Sequence, residues 1–247
     1  MSEPRNIIEE RLKIRNYQTD FAQKLRPSAI LGLFQEIAAE HSEKMGFGHS
    51  VLKKNGMFWV LSKMYVQIEV LPSYTDEITV KTWPHSPNKA IFERSFSVED
   101  NEGRRLISAF SRWCILSGGG RIVPASRVPC GVSRFIEERS VTFEDWIVPD
   151  IAEKTMPAFS LKIANSEYDL NQHVNNIKYA DYIFNCFSVA ELSAMRLKNF
   201  QIHYVKQSHE NDVLDFYRRE ISAGVFVVEG VKNAAETVVT AKITFGV

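Results

Sequence analysis

Eight residues concentrate the reactive side chains of this sequence: Asp169-Leu-Asn171-Gln-His173-Val-Asn175-Asn176. They bring together a carboxylate, carboxamides and an imidazole. Asp169, Asn171 and His173 alternate, and in an extended or gently turning chain alternate side chains share one side. Residues 177–190 follow directly and are apolar at helical spacing. The motif therefore faces the unpaired amides and positive dipole end of a helix. An imidazole there tends to stay neutral and able to take a proton, and a carboxylate stays ionised. The plainer alternative is that Asp and Asn before a helix are caps, a role that suits Asn175 or Asn176.

Composition narrows the field. The chain has 247 residues, 45% of them hydrophobic, enough for one large domain or two small ones with a real core. Thirty basic and thirty acidic residues cancel, which removes the usual electrostatic case for nucleic acid or an anionic membrane as partner. Lys53-Lys54, Arg104-Arg105 and Arg218-Arg219 remain as local basic clusters. Three widely spaced cysteines, Cys114, Cys130 and Cys186, argue against a disulfide framework and for a reducing compartment. The charged start of the sequence does not read as a signal peptide, and no apolar run is long enough to span a bilayer. A soluble, cytoplasmic protein is expected. No metal-ligand spacing such as H-x-x-x-H or clustered Cys and His is present, so neither metal nor cofactor is expected.

The elements that must position the motif can be read in order. Residues 9–16 suggest a strand. Pro27 suits the first turn of a helix with Ile30, Leu31, Phe34, Ile37 and Ala38 on one face, ending near Met45 with Gly46 as its cap. Strands are expected at residues 58–70, 77–83, 90–98 and 104–116, with a turn at Asp100-Asn-Glu-Gly103. The Gly118-Gly119-Gly120 run lacks a phosphate-loop frame and reads as a turn. Residues 124–157 read as a connector, with one short helix near residues 133–138. Thereafter come a strand at 159–164, a helix at 177–190, and strands at 198–207, 212–221, 225–231 and 237–245.

One strand, one long helix and four strands thus occur twice. Aligning Asp20 with Asp169 gives an offset of 149 that also pairs Gln23 with Gln172 and Phe34 with Ile183. After the helix the offset is 135, pairing Lys63 with Lys198. A sheet with one helix must curl around it to cover its apolar face. Where the second copy has Asp169, Asn171, His173 and Asn175, the first has Asp20, Ala22, Lys24 and Arg26. One reactive site per chain is expected, in the second copy, which leaves the first free to hold substrate.

DLNQHVNN followed by IKYADYIF resembles the D-x-N-x-H-V-N-N signature of the acyl-acyl-carrier-protein (acyl-ACP) thioesterases, and WVLSKMYVQIE and DEITVKTW resemble that family's first-half strands. The resemblance implies an α+β double hotdog, two curled antiparallel sheets each around a long helix. The expected division is an N-terminal hotdog over 1–123 that binds the acyl chain, a connector over 124–157 and a C-terminal hotdog over 158–247. It further implies hydrolysis of the thioester between a fatty acyl chain and acyl-carrier protein, with Asp169, Asn171 and His173 as catalytic residues. For that reaction His173 would serve as general base or would assist attack by Asp169, Asn171 would position the water or the carbonyl, and backbone amides around residues 174–176 would face the developing oxyanion. At the position of a family glutamate the sequence has Gln207, with Ser208 next and Glu210 nearby. Gln207 can orient water but cannot act as a base. Acyl-CoA as substrate, or acyl binding without turnover, are the alternatives. Chain length and pairing into a homodimer stay open. Both His173→Ala and Asp169→Ala are expected to remove activity without lowering the melting temperature.

Overall fold

A computed structural model describes residues 6–128, 135–170 and 172–246. The chain divides into two compact units, Met1–Leu25 with Ile30–Phe143 and Arg26–Ala29 with Glu144–Val247.

The first unit contains β1 (Ile8–Lys13), α1 (Pro27–Lys44), α2 (His49–Lys54), β2 (Met57–Ile68), β3 (Glu77–Pro84), β4 (Phe92–Glu99), β5 (Arg105–Ser117) and the short β6 (Ile122–Val123). Its antiparallel sheet runs β1-β3-β4-β5-β2, with β6 on β5. Ile30, Phe34 and Ile37 of α1 are almost fully buried, and Phe34 stacks on Phe96 of β4 with ring centroids 4.6 Å apart. The i, i+4, i+7 spacing of these three residues thus became the face that the sheet covers. Gly46 ends the helix at φ +79°, a left-handed cap open to glycine at no steric cost.

The second unit contains β7 (Phe159–Lys162), α3 (Asn176–Phe184), α4 (Val189–Ala194), β8 (Arg196–Tyr204), β9 (Val213–Ser222), β10 (Val225–Lys232) and β11 (Glu236–Gly246). Its antiparallel order is β7-β9-β10-β11-β8, the same as in the first unit strand for strand. Phe184 of α3 meets Phe200 of β8 at 5.7 Å, and Tyr182 meets Phe216 of β9 at 5.8 Å. Both units have the α+β hotdog plan, a curled antiparallel sheet against a helix.

Two expectations need correction. The second helix does not run over residues 177–190. It stops at Phe184, and α4 starts afresh after Ser188, whose hydroxyl accepts from the Glu191 amide while Glu191 accepts from the Ser188 amide at 2.7 Å. This reciprocal box opens a new helix where continuous apolar spacing suggested one. In the connector, residues 135–138 are not helical, and residues 133–134 lie outside the described residues. That segment is tied to the first unit instead: the Trp83 indole donates to the Glu138 carbonyl at 2.8 Å, and the Ser86 hydroxyl donates to the Glu137 carboxylate.

Gly230 of β10 sits at a register shift, and a Cβ there would lie 2.7 Å from both the Phe216 ring and a Val239 methyl. Both neighbours are fully buried and cannot retreat. Gly230→Ala should therefore lower stability by about 1–3 kcal/mol despite its smaller unfolded-state entropy, read as a lower midpoint in urea; an unchanged or raised midpoint would contradict this packing.

Candidate active site

The reactive motif lies on a loop that the chain builds twice from the same bonds. In the first copy a 3₁₀ turn at Asn16–Gln18 is closed by the Gln18 side chain accepting from the Arg15 amide at 2.8 Å. In the second, Asn165–Glu167 is closed by Glu167 accepting from the Ala164 amide at 3.0 Å. Next, the Asp20 amide donates to the Lys24 carbonyl at 2.8 Å, and the Asp169 amide to the His173 carbonyl at 3.0 Å. Gln23 and Gln172 reverse the chain at φ +59° and +64°. A non-glycine residue rarely holds that conformation, and here neighbouring bonds impose it in both copies. Beyond the loop, the Leu25 amide donates to the Pro72 carbonyl at 2.8 Å, and the Val174 amide to the Ser208 carbonyl at 3.2 Å.

Asp20 shows what the shared aspartate does for this loop. Its Oδ1 accepts from the Ala22 and Lys24 amides at 2.8 and 3.0 Å, so it folds the turn around itself. Asp169 occupies the same post. The difference lies in what the loop displays: Lys24 reaches Ser73 Oγ at 2.8 Å, whereas position 173 carries an imidazole.

His173 and Asp169 are both largely covered, with side-chain exposures of 16% and 17%. His173 Nδ1 is 3.5 Å from the Val174 carbonyl and 3.8 Å from Asp169 Oδ1. Both neighbours are acceptors, so they favour the tautomer with the proton on Nδ1 and a lone pair on Nε2. That is the arrangement a general base needs. Asn171 lies outside the described residues.

Other expected participants have different duties. The Asn175 side chain accepts from the Ile177 amide at 3.0 Å and caps α3, as the plainer reading allowed. The expectation that amides 174–176 await an oxyanion is corrected at two positions: Val174 donates to Ser208, and Asn175 to the Glu167 carbonyl at 2.9 Å. Only the Asn176 amide has no partner among the described residues. Gln207 lies on the segment that Val174 bonds, but its exposed side chain has no hydrogen-bond partner among the described residues. Its carbonyl accepts from Lys232 at 3.2 Å. Glu210 is exposed, with its amide bonded to the Tyr168 hydroxyl.

Sequence reasoning overlooked Ser208 and Tyr179. Ser208 is fully buried, and its Oγ accepts from the Tyr179 hydroxyl at 2.9 Å. A signal existed for Tyr179, where the first copy has Ile30, but not for Ser208: the offset of 135 sets Ser73 against it, and only the shared amide bond matches it to Pro72. Among the other histidines, His41 and His85 are buried in the first unit against Arg94 and Ser95. Cys186 is buried with its thiol pushed up to about 12 by burial, so it packs rather than reacts.

Comparison with known proteins places these observations. The sequence profile "Acyl-ACP thioesterase N-terminal domain" matches residues 5–125, and "Acyl-ACP thioesterase C-terminal domain" matches residues 149–245. A palmitoyl-acyl carrier protein thioesterase of Arabidopsis thaliana chloroplasts is 27% identical, covering 84% of this chain and 54% of its own length. An oleoyl-acyl carrier protein thioesterase of the same plant is 22% identical, covering 83% of this chain and 61% of its own. The chain thus spans little more than half the length of the curated relatives it matches. The crystal structure of an acyl-ACP thioesterase from Bacteroides thetaiotaomicron matches with a TM-score of 0.83 and 25% identity over all of both chains. A 12:0-ACP thioesterase from Umbellularia californica shares the fold, with a TM-score of 0.85 and 17% identity over 100% of this chain and 99% of that one.

If the aspartate anchors the loop in both copies, Asp20→Ala and Asp169→Ala should each lower stability by about 1–2 kcal/mol, revising the sequence-based expectation for Asp169. Chemical denaturation of the two variants beside wild type checks this, and an unaltered midpoint for Asp169→Ala would return that residue to a purely chemical role.

Proposed function

The chain belongs to the acyl-ACP thioesterase family, and from that premise we propose that it hydrolyses fatty acyl-ACP to free fatty acid and carrier protein. The observation that carries this reading is the setting of His173, with Nδ1 turned to the Val174 carbonyl and Asp169 on a loop whose first-copy twin has lysine at that place.

In the proposed reaction His173 Nε2 accepts a proton from a water molecule as the water oxygen bonds to the thioester carbon. The carbonyl π electrons move to oxygen, and the Asn176 amide is the available backbone donor for that charge. Collapse of the tetrahedral adduct breaks the carbon–sulfur bond. The imidazolium returns its proton to the departing sulfur, giving a carboxylic acid and the carrier's thiol. Asp169 orients the imidazole and holds the loop, which makes it an anchor rather than the nucleophile. Asn171 is assigned to positioning the water or the carbonyl. Gln207 is an orienting group at most, since a carboxamide takes up no proton near neutrality. The N-terminal unit is assigned to the acyl chain.

The carrier is an acidic protein, so its docking would use basic side chains without acidic partners of their own. Arg104 is paired with Asp100 and Glu102, Arg105 with Glu99, and Arg218 with Glu191. Lys53 and Lys54 of α2 are exposed and form no ion pair among the described residues, which makes them the favoured cluster. No helix among the described residues is long and apolar enough to cross a membrane. A cytoplasmic location is proposed with that, and Cys114 and Cys186 are free thiols. The exposed Gln207 also supports a second reading, acyl binding without turnover.

Purified protein incubated with acyl-ACPs of graded chain length should release free fatty acid, and His173→Ala should slow release on the order of 10²–10⁴-fold with an unchanged melting temperature. Binding of acyl-ACP without release by folded wild type would favour the second reading, and preference for acyl-CoA of the same chain would reassign the carrier. Raising ionic strength, or converting both Lys53 and Lys54 to Glu, should raise KM for acyl-ACP while kcat holds; a KM indifferent to both would remove α2 from the docking surface.

A further inference from the structure

The two copies share a backbone loop, so side chains that differ between them at buried positions reveal what the reactive copy needs beyond the fold. Two such positions face each other. In the first copy they are Ile30, fully buried, and Pro72, whose carbonyl accepts the Leu25 amide. In the second they are Tyr179, 3% exposed on α3, and Ser208, with no exposure, whose carbonyl accepts the Val174 amide. Hydrocarbon and an imide ring suffice for the scaffold. Only the copy with histidine buries two hydroxyls here, and it must then satisfy them, because an unpaired buried hydroxyl is costly.

They satisfy each other, at 2.9 Å from Tyr179 Oη to Ser208 Oγ. Burial pushes the Tyr179 phenol up to about 12, so it stays a donor throughout the neutral range. The path then continues through backbone: Ser208 carbonyl to Val174 amide at 3.2 Å, and Val174 carbonyl to His173 Nδ1 at 3.5 Å. Tyr179 packs edge-on against Tyr182 and Tyr204, with centroids 5.8 and 6.1 Å away, so its ring cannot easily turn off this line. A hydroxyl pair thereby ties to α3, a rigid element, the segment whose Val174 carbonyl faces His173 Nδ1.

We propose that Tyr179 and Ser208 are positioning residues for His173: their hydrogen bond sets the Val174 peptide and through it the imidazole orientation and tautomer. Neither touches substrate. Full burial and engagement of Oγ also remove Ser208 as a nucleophile, although a serine beside the motif invites that role. This inference rests on the proposed thioester hydrolysis, in which the lone pair on Nε2 does the work.

The experiment measures Tyr179→Phe, Ser208→Ala and the double variant for kcat and KM on acyl-ACP, for melting temperature, and for the His173 ring nitrogens by ¹⁵N NMR. Each single variant should lose roughly 10- to 100-fold in kcat with KM little changed. The double variant should be no worse than the weaker single, since both remove one bond. The His173 resonances should move towards a mixture of tautomers, while Ser208→Thr, which keeps the hydroxyl, recovers most of kcat. Additive losses, an unchanged kcat in Tyr179→Phe, or unmoved ring signals would overturn the proposal. A variant carrying the first-copy pair, Tyr179→Ile with Ser208→Pro, should remain folded with low kcat; full activity in it would overturn the proposal even if the single variants unfold. Inactive wild type would sink the hydrolase reading alone, and the ring signals of the variants would still decide this one.

Discussion

A single backbone hydrogen bond, from the amide following His173 to the carbonyl of a distant loop, is the constraint on which the candidate site depends. Val174 and Ser208 make it in the second copy, as Leu25 and Pro72 make it in the first. It pins the far side of a loop that has just left a 3₁₀ turn, bonded the Asp169 amide to the His173 carbonyl and reversed at a left-handed glutamine. Without that tie the strained glutamine would relax, because a positive φ at a β-carbon-bearing residue persists only where its surroundings leave no alternative. With it, the imidazole is delivered to one place at the start of a helix.

Duplication separates what the backbone needs from what chemistry needs. The 3₁₀ turn, the aspartate, the reversed glutamine and the cross-loop bond belong to both units, so they are scaffold. Histidine, tyrosine and serine belong to one. The interiors have diverged in the same sense. In the first unit the polar interior centres on Arg94, whose guanidinium bonds His41 Nδ1, Ser42 and Thr82 and is brought down to about 9 by burial. In the second, Tyr179 of α3 packs edge-on against Tyr182 of the same helix and Tyr204 of β8. A phenol that stays neutral adds a directed hydrogen bond near His173 without altering the local charge.

Much of this was legible in the sequence, for a definite reason. Periodicity reports which face of an element is covered, and hotdog units cover their elements strongly, so α1, the cap at Gly46 and the succession of elements in both copies could be read from spacing, whereas the order of strands within each sheet could not. The same holds for the motif, whose residue types are unusual enough to stand out against an aligned copy that lacks them. Helix α3 was drawn too long because apolar spacing runs through Asn185 and Cys186, and the break there comes from the local box between Ser188 and Glu191. Local spacing predicts a helix in the connector because the partners that hold it, Trp83 on the Glu138 carbonyl and Ser86 on the Glu137 carboxylate, are some fifty residues away, beyond any local signal.

By itself, then, the sequence determined the doubling of the element order and singled out the motif at residues 169–176, because both are written in residue type and spacing, and the motif's resemblance carried the family and the fold class. Only the tertiary structure decided how backbone amides are shared out, since a hydrogen bond between Val174 and Ser208, or between Asn175 and Glu167, depends on which segments folding brings side by side. The same limit hid Tyr179 and Ser208: 29 positions apart in sequence, they became a pair only when α3 packed against the loop after β8. Residue type announces that a side chain can act, and packing determines whether it touches substrate or holds the one that does.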